Sequence, residues 1–284
     1  MRTVSDEQKK KADALRALHS GPEPLVLVNA WDAGSARIVE DLGFPAIATT
    51  SAGIAFSKGL PDGQKISAER MMAAVAEIVQ AVNVPVTADA EAGYGDGPEH
   101  AAQTARSVIT AGAVGMNFED ATGRSERPLV DLELQVERIH AIRECAAEVS
   151  VPLVLNARTD VYLLQVGDPA KRYDEAVKRL QGYRDAGADC VFVPGLLDAK
   201  TIGRIVSDLR CPLNILAVPG SPSIAQLTAL GVKRISLGSG PMRAALGTLR
   251  RLGQEVKAEG TYSNMSGAPP HAEMNQLMGK KRNN

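Results

Sequence analysis

Residues 84–95 read VPVTADAEAGYG, a short apolar segment that ends on a carboxylate and runs into a glycine-rich turn. Alternate residues of a β-strand point to the same face, so Asp89 and Glu91 are predicted to aim at one point just beyond a strand end. Two carboxylates in a small volume repel each other unless a cation or a proton lies between them. Oxygen ligands of this kind suit a hard ion such as Mg²⁺. Taken alone, the motif fits a pair of solvated acids before a turn equally well.

A repeating pattern runs along the whole chain: a buried apolar segment, a polar end and then a helix. The predicted strands are 24–29, 46–51, 85–89, 114–118, 152–157, 190–193, 213–217 and 234–237. Strands that alternate with helices in this way favour a (β/α)₈ barrel of the TIM type. An open doubly wound sheet is the alternative, but no G-x-G-x-x-G motif follows any of these strands.

The domain organisation predicted from this pattern is a single domain over residues 1–284. The barrel occupies about 24–240 and a C-terminal helical extension 241–284, with a short helix predicted at 271–278. An N-terminal helix at 6–18 is predicted to cap the barrel from outside the main core. The segment 51–64 is predicted to be a polar loop.

Charge and composition exclude several classes of partner. The 284 residues carry 32 Lys and Arg against 33 Asp and Glu, a formal net charge of −1. This balance gives no electrostatic reason to expect nucleic acid or an anionic membrane as a partner. Residues 1–11 lack an apolar signal segment, and no apolar run reaches membrane-spanning length. Cys145, Cys190 and Cys211 are widely spaced and are expected to be reduced, so we predict a cytoplasmic protein.

Charged side chains fall at the ends of neighbouring predicted strands, and active sites of (β/α)₈ barrels form at those carboxyl ends. Asp89, Glu91 and Glu119 are predicted to hold a divalent ion, partly through water as Mg²⁺ prefers. Arg158 is predicted to grip a substrate carboxylate with its planar fork. Pairing of Arg158 with Glu119 or Asp160 in the barrel mouth is the other interpretation, and both can hold together.

Further pocket residues are predicted from the remaining strand ends. The turn Thr50–Gly53 offers a hydroxyl and successive N–H groups, which suit a carboxylate or oxyanion, although an ordinary turn fits as well. Trp31 is either a pocket wall or core, and Asn214 either a pocket amide or a core amide. A 2-oxo acid fits the whole set. Its keto oxygen and carboxylate can chelate a metal, and the metal then stabilises the enolate formed when a neighbouring bond breaks.

Several segments together resemble the isocitrate lyase/phosphoenolpyruvate mutase superfamily, in that superfamily's order. They are NAWDAGSAR at 29–37, TSAG at 50–53, GLPD at 59–62, ADAEAGYG at 88–95, FED at 118–120 and ARTD at 157–160. The resemblance spans about residues 25–249. It implies a barrel whose last helix is exchanged between the subunits of a homodimer or homotetramer. It also implies cleavage or formation of a bond next to a 2-oxo acid, dependent on Mg²⁺ (or Mn²⁺), through an enolate.

The resemblance also implies roles for individual residues. Asp89 is the implied direct metal ligand, while Glu91 and Glu119 act mostly through metal-bound water. Asp62 is implied near the metal on a mobile loop, where it joins Arg158 and Glu119 as a catalytic residue. The implied substrate-binding residues are Ser51, Ala52, Gly53 and Arg158, with Ala52 and Gly53 acting through backbone N–H groups.

The loop after the fourth strand, ATGRSERPLV at 121–130, departs from the isocitrate and methylisocitrate lyases. Those lyases carry Lys-Lys/Arg-Cys-Gly-His there, and their Cys is the proton donor or base for the second product. A decarboxylation releases CO₂ without a proton, so the missing Cys favours an oxaloacetate decarboxylase-like carbon–carbon lyase. Arg124 and Arg127 are either loop cations that close over an acidic substrate or solvated charges.

Three alternatives stay open from the sequence. The first is a methylisocitrate- or isocitrate-type lyase. The second is a phosphonopyruvate-type P–C bond enzyme, whose longer loop with a catalytic Lys finds no match in this chain. The third is a 2-oxo acid-binding protein that keeps the metal site without turnover.

Overall fold

The computed structural model of the protein describes residues 5–280, and its strands form one parallel sheet in the order β1-β9-β8-β7-β6-β5-β4-β3-β2. They are β1 Leu25–Leu27, β2 Asn29–Ala30, β3 Ile47–Thr49, β4 Val86–Asp89, β5 Gly115–Glu119, β6 Val154–Arg158, β7 Cys190–Phe192, β8 Leu213–Leu216 and β9 Arg234–Ser236. Only Val28 separates β1 from β2. Because β1 pairs with β9 and β2 pairs with β3, the two segments act as one strand that closes the sheet. The predicted (β/α)₈ barrel is confirmed.

Helices connect the strands and surround the sheet, and several of them begin at a polar cap. They are α1 Asp6–Ala17, α2 Ala33–Asp41, α3 Ser51–Ser57, α4 Ala68–Ala81, α5 Pro98–Thr110, α6 Leu132–Glu148, α7 Arg172–Asp185, α8 Ala199–Leu209, α9 Ile224–Ala229, α10 Gly240–Glu259 and α11 His271–Met278. The side chains of Asp32, Ser67 and Asp198 each accept a hydrogen bond from the third backbone N–H of their helix, which stabilises an otherwise unpaired donor.

Two predictions about local structure were wrong. The segment predicted as a polar loop from residue 51 begins as α3, because Thr50 caps it and Ile54 and Ala55 bury its apolar side. Helix α1 does not lie outside the core. Its Ala12 and Leu15 are fully buried and belong to the main apolar core, so the helix seals one end of the barrel.

The inside of the barrel is partly polar. Buried side chains of β5, β6, β8 and β9 form hydrogen bonds with one another, as in the pairs Asn156–Asn117, Asn214–Ser236 and Arg234–Asn117. Many barrels of this fold fill the interior with branched apolar residues instead. This polar layer lies one step below the strand ends that carry the predicted site.

The C-terminal extension leaves the barrel and then returns to it. Helix α10 buries only Met242 and Glu255 and exposes Leu249. Helix α11 packs against α2, where the guanidinium of Arg37 donates to the carbonyl oxygens of Met278 at 2.6 Å and Lys280 at 2.8 Å. Within the described chain, none of the helices combines the length and apolar character needed to cross a bilayer.

Candidate active site

Asp89 ends β4 and is held in place through one of its two carboxylate oxygens. Its Oδ2 accepts hydrogen bonds from the backbone N–H of Ser51 at 2.9 Å and from the Ser51 hydroxyl at 2.8 Å. Its Oδ1 is buried and finds no hydrogen-bond donor among residues 5–280. A buried carboxylate oxygen without a partner is costly, so this atom is the one best placed to take a ligand from outside the chain.

Glu91 reaches the same region by a turn rather than by strand alternation. The strand stops at Asp89, and Glu91 has a φ of 49°, in the left-handed region. The alternation rule therefore does not explain why the two acids approach each other. Glu91 is buried, with its Oε2 accepting from the Gln64 N–H at 2.5 Å and its Oε1 from the Tyr94 hydroxyl at 3.1 Å. Burial, followed by the negative charge of Asp89, raises the pKa of Glu91 to about 7.

Arg158 ends β6 and is clamped by two carboxylates. One terminal nitrogen lies 2.7 Å from Glu119, and the other two nitrogens contact both oxygens of Asp160 at 2.5 Å and 2.8 Å. Burial raises the pKa of Glu119, and the adjacent guanidinium of Arg158 opposes that rise. A guanidinium has five N–H donors and these contacts engage three, so two remain for a substrate carboxylate. The sequence interpretation in which Arg158 pairs with Glu119 or Asp160 is therefore met by both acids at once.

The loop between α3 and α4 approaches the carboxylates. Asp62 lies on this loop and is exposed when the whole residue is considered. Its carboxylate is nevertheless partly buried, and this burial, together with the charge of Asp89, raises the pKa of Asp62. Gln64, which no sequence pattern singles out, donates its N–H to Glu91 and accepts from the Tyr94 N–H at 2.8 Å. Its φ of 59° is also left-handed. Gln64 therefore fastens this loop to the turn that carries Glu91.

The predicted substrate-binding turn is the start of α3. Ser51 is engaged with Asp89, and the Gly53 N–H donates to the Thr50 hydroxyl at 3.3 Å. A Cβ atom on Gly53 would lie 2.5 Å from the Thr50 methyl and 3.0 Å from the Trp31 Cβ, so only glycine fits. Ala52 is buried between Ser51 and Gly53. Trp31 therefore borders this turn.

Two other polar residues of the strands, Asn29 and Asn214, form hydrogen bonds within the barrel itself. Asn29 accepts from the N–H groups of Leu237 and Gly238 at 2.9 Å and 2.8 Å, which joins the first strand to the end of β9. Asn214 is fully buried and bonds to Ser236 at 3.3 Å inside the barrel. Asn214 thus lies in the polar layer below the rim.

Asp120, next to Glu119, turns away from the barrel mouth. It is fully buried, and four donors satisfy it: the Thr159 hydroxyl, the Asp160 N–H, the Tyr183 hydroxyl and the Arg179 guanidinium. Arg179 and Tyr183 lie on α7, so sequence spacing gave no signal for this network.

The loop 121–130 is closed at its base and makes ion pairs with residues outside it. Ala121 and Leu129 form an antiparallel bridge that closes its base. Arg124 pairs with Asp96 at 2.9 Å, Arg127 pairs with Asp131, and both arginine side chains are about half exposed. The two cations lie on the surface in this arrangement, as the solvated-charge interpretation predicts.

The carboxylates offer an ion one direct ligand. Across residues 5–280, no three acidic, imidazole or thiol groups converge closely enough to coordinate one ion together. Asp89 Oδ1 is buried and without a donor, whereas Glu91 and Glu119 already accept hydrogen bonds or an ion pair. This donor set fits a hard cation held by one carboxylate and by several waters, which is how Mg²⁺ is commonly bound.

A (β/α)₈ barrel with an acidic, cation-suited site at its strand ends defines the class of protein. The family model for phosphoenolpyruvate phosphomutase matches residues 15–257. The chain therefore belongs to the phosphoenolpyruvate mutase family, within the isocitrate lyase/phosphoenolpyruvate mutase superfamily of lyases and mutases that its sequence resembles.

Curated relatives agree with this membership. An uncharacterized protein of Mycobacterium tuberculosis is 39% identical over 230 residues, covering 81% of this chain and 83% of its own. An oxaloacetate decarboxylase of Ectopseudomonas mendocina is 31% identical over 82% of this chain and 80% of its own length. A 2-methylisocitrate lyase of Bacillus subtilis is also 31% identical, over 74% of this chain and 67% of its own.

Solved structures are similar over nearly the whole chain. A protein assigned as a lyase or mutase from Burkholderia cenocepacia J2315 has a TM-score of 0.93 and 41% identity, covering 98% of this chain and 99% of that one. An oxaloacetate acetylhydrolase in complex with its product oxalate has a TM-score of 0.84 and 26% identity, covering 95% and 94%.

Proposed function

We propose that this protein is a divalent-metal-dependent lyase of a small 2-oxo acid that cleaves the carbon–carbon bond one carbon beyond the keto group (C3–C4 in oxaloacetate), so that the bond's electrons form an enolate, in the manner of an oxaloacetate decarboxylase. The observation that carries the proposal is the buried, unpartnered Oδ1 of Asp89 on the rim that also holds Arg158. A cation ligand and a carboxylate-binding cation are the two groups that a 2-oxo acid needs.

The choice of decarboxylation rests on the loop 121–130. The two annotated relatives, a decarboxylase and a methylisocitrate lyase, are equally identical to this chain, so overall identity does not separate them. The loop contains no Cys or His to deliver a proton to a second product. Loss of CO₂ leaves only the enolate to be protonated, and solvent can do this.

Each residue at the rim has a part in this proposal. A bound divalent ion, Mg²⁺ or Mn²⁺, supplies the positive charge that a developing enolate needs. Ser51 fixes the Asp89 carboxylate through Oδ2, and the unpartnered Oδ1 is the atom that would hold the ion. Arg158, kept charged by Glu119 and Asp160, binds the substrate carboxylate with its remaining N–H donors. In the protein without an ion, burial and the charge of Asp89 raise the pKa of Glu91 to about 7, so Glu91 and Asp89 repel each other and a cation between them would relieve that repulsion.

We also propose that the protein is a homodimer or homotetramer that exchanges its C-terminal helix, and that it works in the cytoplasm. Helix α10 exposes Leu246, Leu249 and Val256, an apolar set that a second copy of the chain would cover. The three unpaired cysteines suit a reducing compartment. Light scattering should give a multiple of the 30.0 kDa chain mass, reduced by Leu249→Glu. A monomeric wild-type protein would contradict the oligomer.

The function is tested by following loss of oxaloacetate with Mg²⁺, in the wild type and in Asp89→Ala. We expect the variant to lose at least about 10³-fold of the metal-dependent rate, because the direct ligand is gone. Asp185→Ala is the matched control: Asp185 is an exposed acid at the end of α7 that pairs with its neighbour Arg184, and its loss should leave the rate unchanged.

Other outcomes point to other functions. Ligand binding without turnover would indicate a 2-oxo acid-binding protein. Cleavage of methylisocitrate, together with inactivity toward a panel of 2-oxo acids, would contradict the inference drawn from the loop.

A further inference from the structure

Arg234 is a buried cation inside the barrel, one layer below the site. It begins β9 and is fully buried. The contacts it makes through its terminal nitrogens are to Asn117 and His19, and no carboxylate of residues 5–280 pairs with it. Burying a charge without a counter-ion costs free energy. The interactions that the charge and its N–H donors make must therefore offset that cost.

Arg234 donates a hydrogen bond to each of its two partners, His19 and Asn117. His19 places Nδ1 2.8 Å from the carbonyl oxygen of Leu15, which only accepts, so Nδ1 carries the proton. The other ring nitrogen, 3.5 Å from Arg234, is therefore the acceptor. Burial and the charge of Arg234 lower the pKa of His19 to about 4, which keeps the ring neutral. Arg234 is thus anchored to the turn that follows α1, the helix that seals the barrel.

The second contact fixes the orientation of an amide next to the site. Arg234 donates to Asn117 Oδ1 at 3.2 Å, and Asn156 Nδ2 donates to the same oxygen at 2.6 Å. A guanidinium cannot accept a hydrogen bond, so the atom of Asn117 that faces it must be the oxygen. The Nδ2 group of Asn117 is thereby held on the side away from Arg234.

Asn117 lies beside the proposed metal ligand. It is the direct register partner of Asp89 across β4 and β5, and it precedes Glu119 by two residues on the same face of β5. About 8% of it is exposed, whereas its register partner Asn156 on β6 and its other partner Arg234 are fully buried. The Asn117 amide is therefore the part of the polar layer that reaches the open rim.

We infer that Asn117 Nδ2 is a hydrogen-bond donor to the 2-oxo acid and that Arg234 is the positioning residue that orients it. Arg234 also places a positive charge below a rim rich in carboxylates, which lessens the repulsion of an anionic substrate. This inference rests on the proposed function, since it concerns the same site. It explains why a fully buried arginine lies in a barrel layer that apolar residues could fill.

The test measures binding of oxalate in the presence of saturating Mg²⁺, together with thermal stability. Asn117→Asp preserves the shape and gains an ion pair with Arg234, so its melting temperature should equal or exceed that of the wild type. Its oxalate affinity should fall at least about tenfold, because a negative charge replaces the donor. Arg234→Met should also weaken oxalate binding about tenfold. Arg234→Lys should weaken it less, because Lys keeps the positive charge but lacks the planar group that contacts both Asn117 and His19.

Controls separate this role from a structural one. Arg143→Met removes another largely buried arginine, paired with Asp189 away from the rim, and should lower the melting temperature while leaving oxalate affinity unchanged. Binding of Mn²⁺ alone to Arg234→Met should stay the same or tighten, since a positive charge has been removed. Loss of Mn²⁺ binding in that variant would indicate general disruption of the site and overturn the inference.

The remaining outcomes distinguish the inference from the proposed function. Unchanged oxalate affinity in both Asn117→Asp and Arg234→Met overturns the inference alone. A wild-type protein that binds oxalate with these mutant effects but turns over no 2-oxo acid overturns the proposed function alone. A wild-type protein that does not bind oxalate overturns both.

Discussion

Glu119 and Asp120 are adjacent acids at the end of β5, and they lie in two very different regions. Glu119 faces the barrel mouth with Asp89 and Glu91, where oxygens are only partly satisfied. Asp120 faces the packing between β6 and α7, where four donors satisfy it completely. We call the first region the open carboxylate group and the second the closed carboxylate network. Both contain buried acids and arginines, so residue type alone does not distinguish a site from scaffold.

The difference lies in what remains unpaired. In the open group, Asp89 Oδ1 is buried without a donor, and Arg158 keeps spare N–H groups. In the closed network every oxygen of Asp120 has a partner. Loss of an acid from the open group should therefore affect binding and chemistry, while loss from the closed network should affect folding.

The largest expected effect on stability comes from breaking the closed network with Asp120→Ala. The change leaves the Arg179 charge and the Tyr183 hydroxyl buried with fewer partners, so we expect a loss of about 3–5 kcal/mol in the free energy of unfolding. Urea denaturation measures this value. Asp185→Ala, an exposed acid, should change it by less than about 0.5 kcal/mol. A loss below about 1 kcal/mol for Asp120→Ala would show that the network is not the structural unit described here.

The next effect concerns Glu91 and pH, measured in metal-free protein with a chelator. Its pKa is raised from 4.5 to about 7, so the folded state binds the proton more tightly than the unfolded state. The stability from this group is present below pH 4.5 and is lost as pH rises to about 7, by about 3 kcal/mol. Glu91→Gln cannot ionise and should lack that loss. Identical pH profiles of unfolding for the two proteins would rule out the raised pKa.

A smaller effect is expected at the turn that supports Asp89. Gly53→Ala places a methyl group 2.5 Å from the Thr50 side chain, so α3 must shift, at a cost of about 1–3 kcal/mol. Metal affinity should weaken with it, because Ser51 moves. Gly247→Ala is the matched control. It lies within α10 on the side away from Leu249 and Val256, where an added Cβ would meet the Arg251 guanidinium only at an ordinary 3.6 Å, and it should stabilise by up to about 1 kcal/mol. Equal stability of the two variants would contradict the close packing.

The smallest expected effect on stability is that of Asp89→Asn. The substitution removes a buried charge with an unpaired oxygen, so the metal-free protein should stay within about 1 kcal/mol of the wild type or become more stable. Differential scanning calorimetry in chelator gives the comparison with Asp120→Ala. A large destabilisation by Asp89→Asn would place Asp89 in the scaffold and erase the distinction between the two regions.

The site residues that lie at the carboxyl ends of strands could be predicted from the sequence. Asp89, Glu119 and Arg158 each end a short apolar segment, and parallel strands bring their carboxyl ends to one rim. Glu91 was also predicted, from the alternation of side chains along a strand. That rule does not apply, because Glu91 lies in a turn after the strand with a left-handed backbone conformation. The contact of Gln64 with Glu91 spans 27 residues and left no local pattern.

The polar layer inside the barrel was beyond prediction for a related reason. Asn117, Asn156 and Arg234 lie within segments that are otherwise apolar, and a single polar residue in a strand gives no sign of its partners. Their hydrogen bonds join β5, β6 and β9, with Asn117 and Arg234 separated by 117 residues. Asn117 and Asn156 meet across neighbouring strands, but only closure of the sheet brings Arg234 to them.

That closure also sets an order of folding events. The first strand is split at Val28, and its Asn29 receives the N–H groups of Leu237 and Gly238, 208 and 209 residues away. Contacts of such long sequence separation are slow to form, because the entropy of closing the intervening loop is lost before any contact compensates for it. A ribosome-bound chain that ends before β9 therefore has an exposed strand edge, and the layer beneath its carboxylates remains unassembled until the last strand has been synthesised.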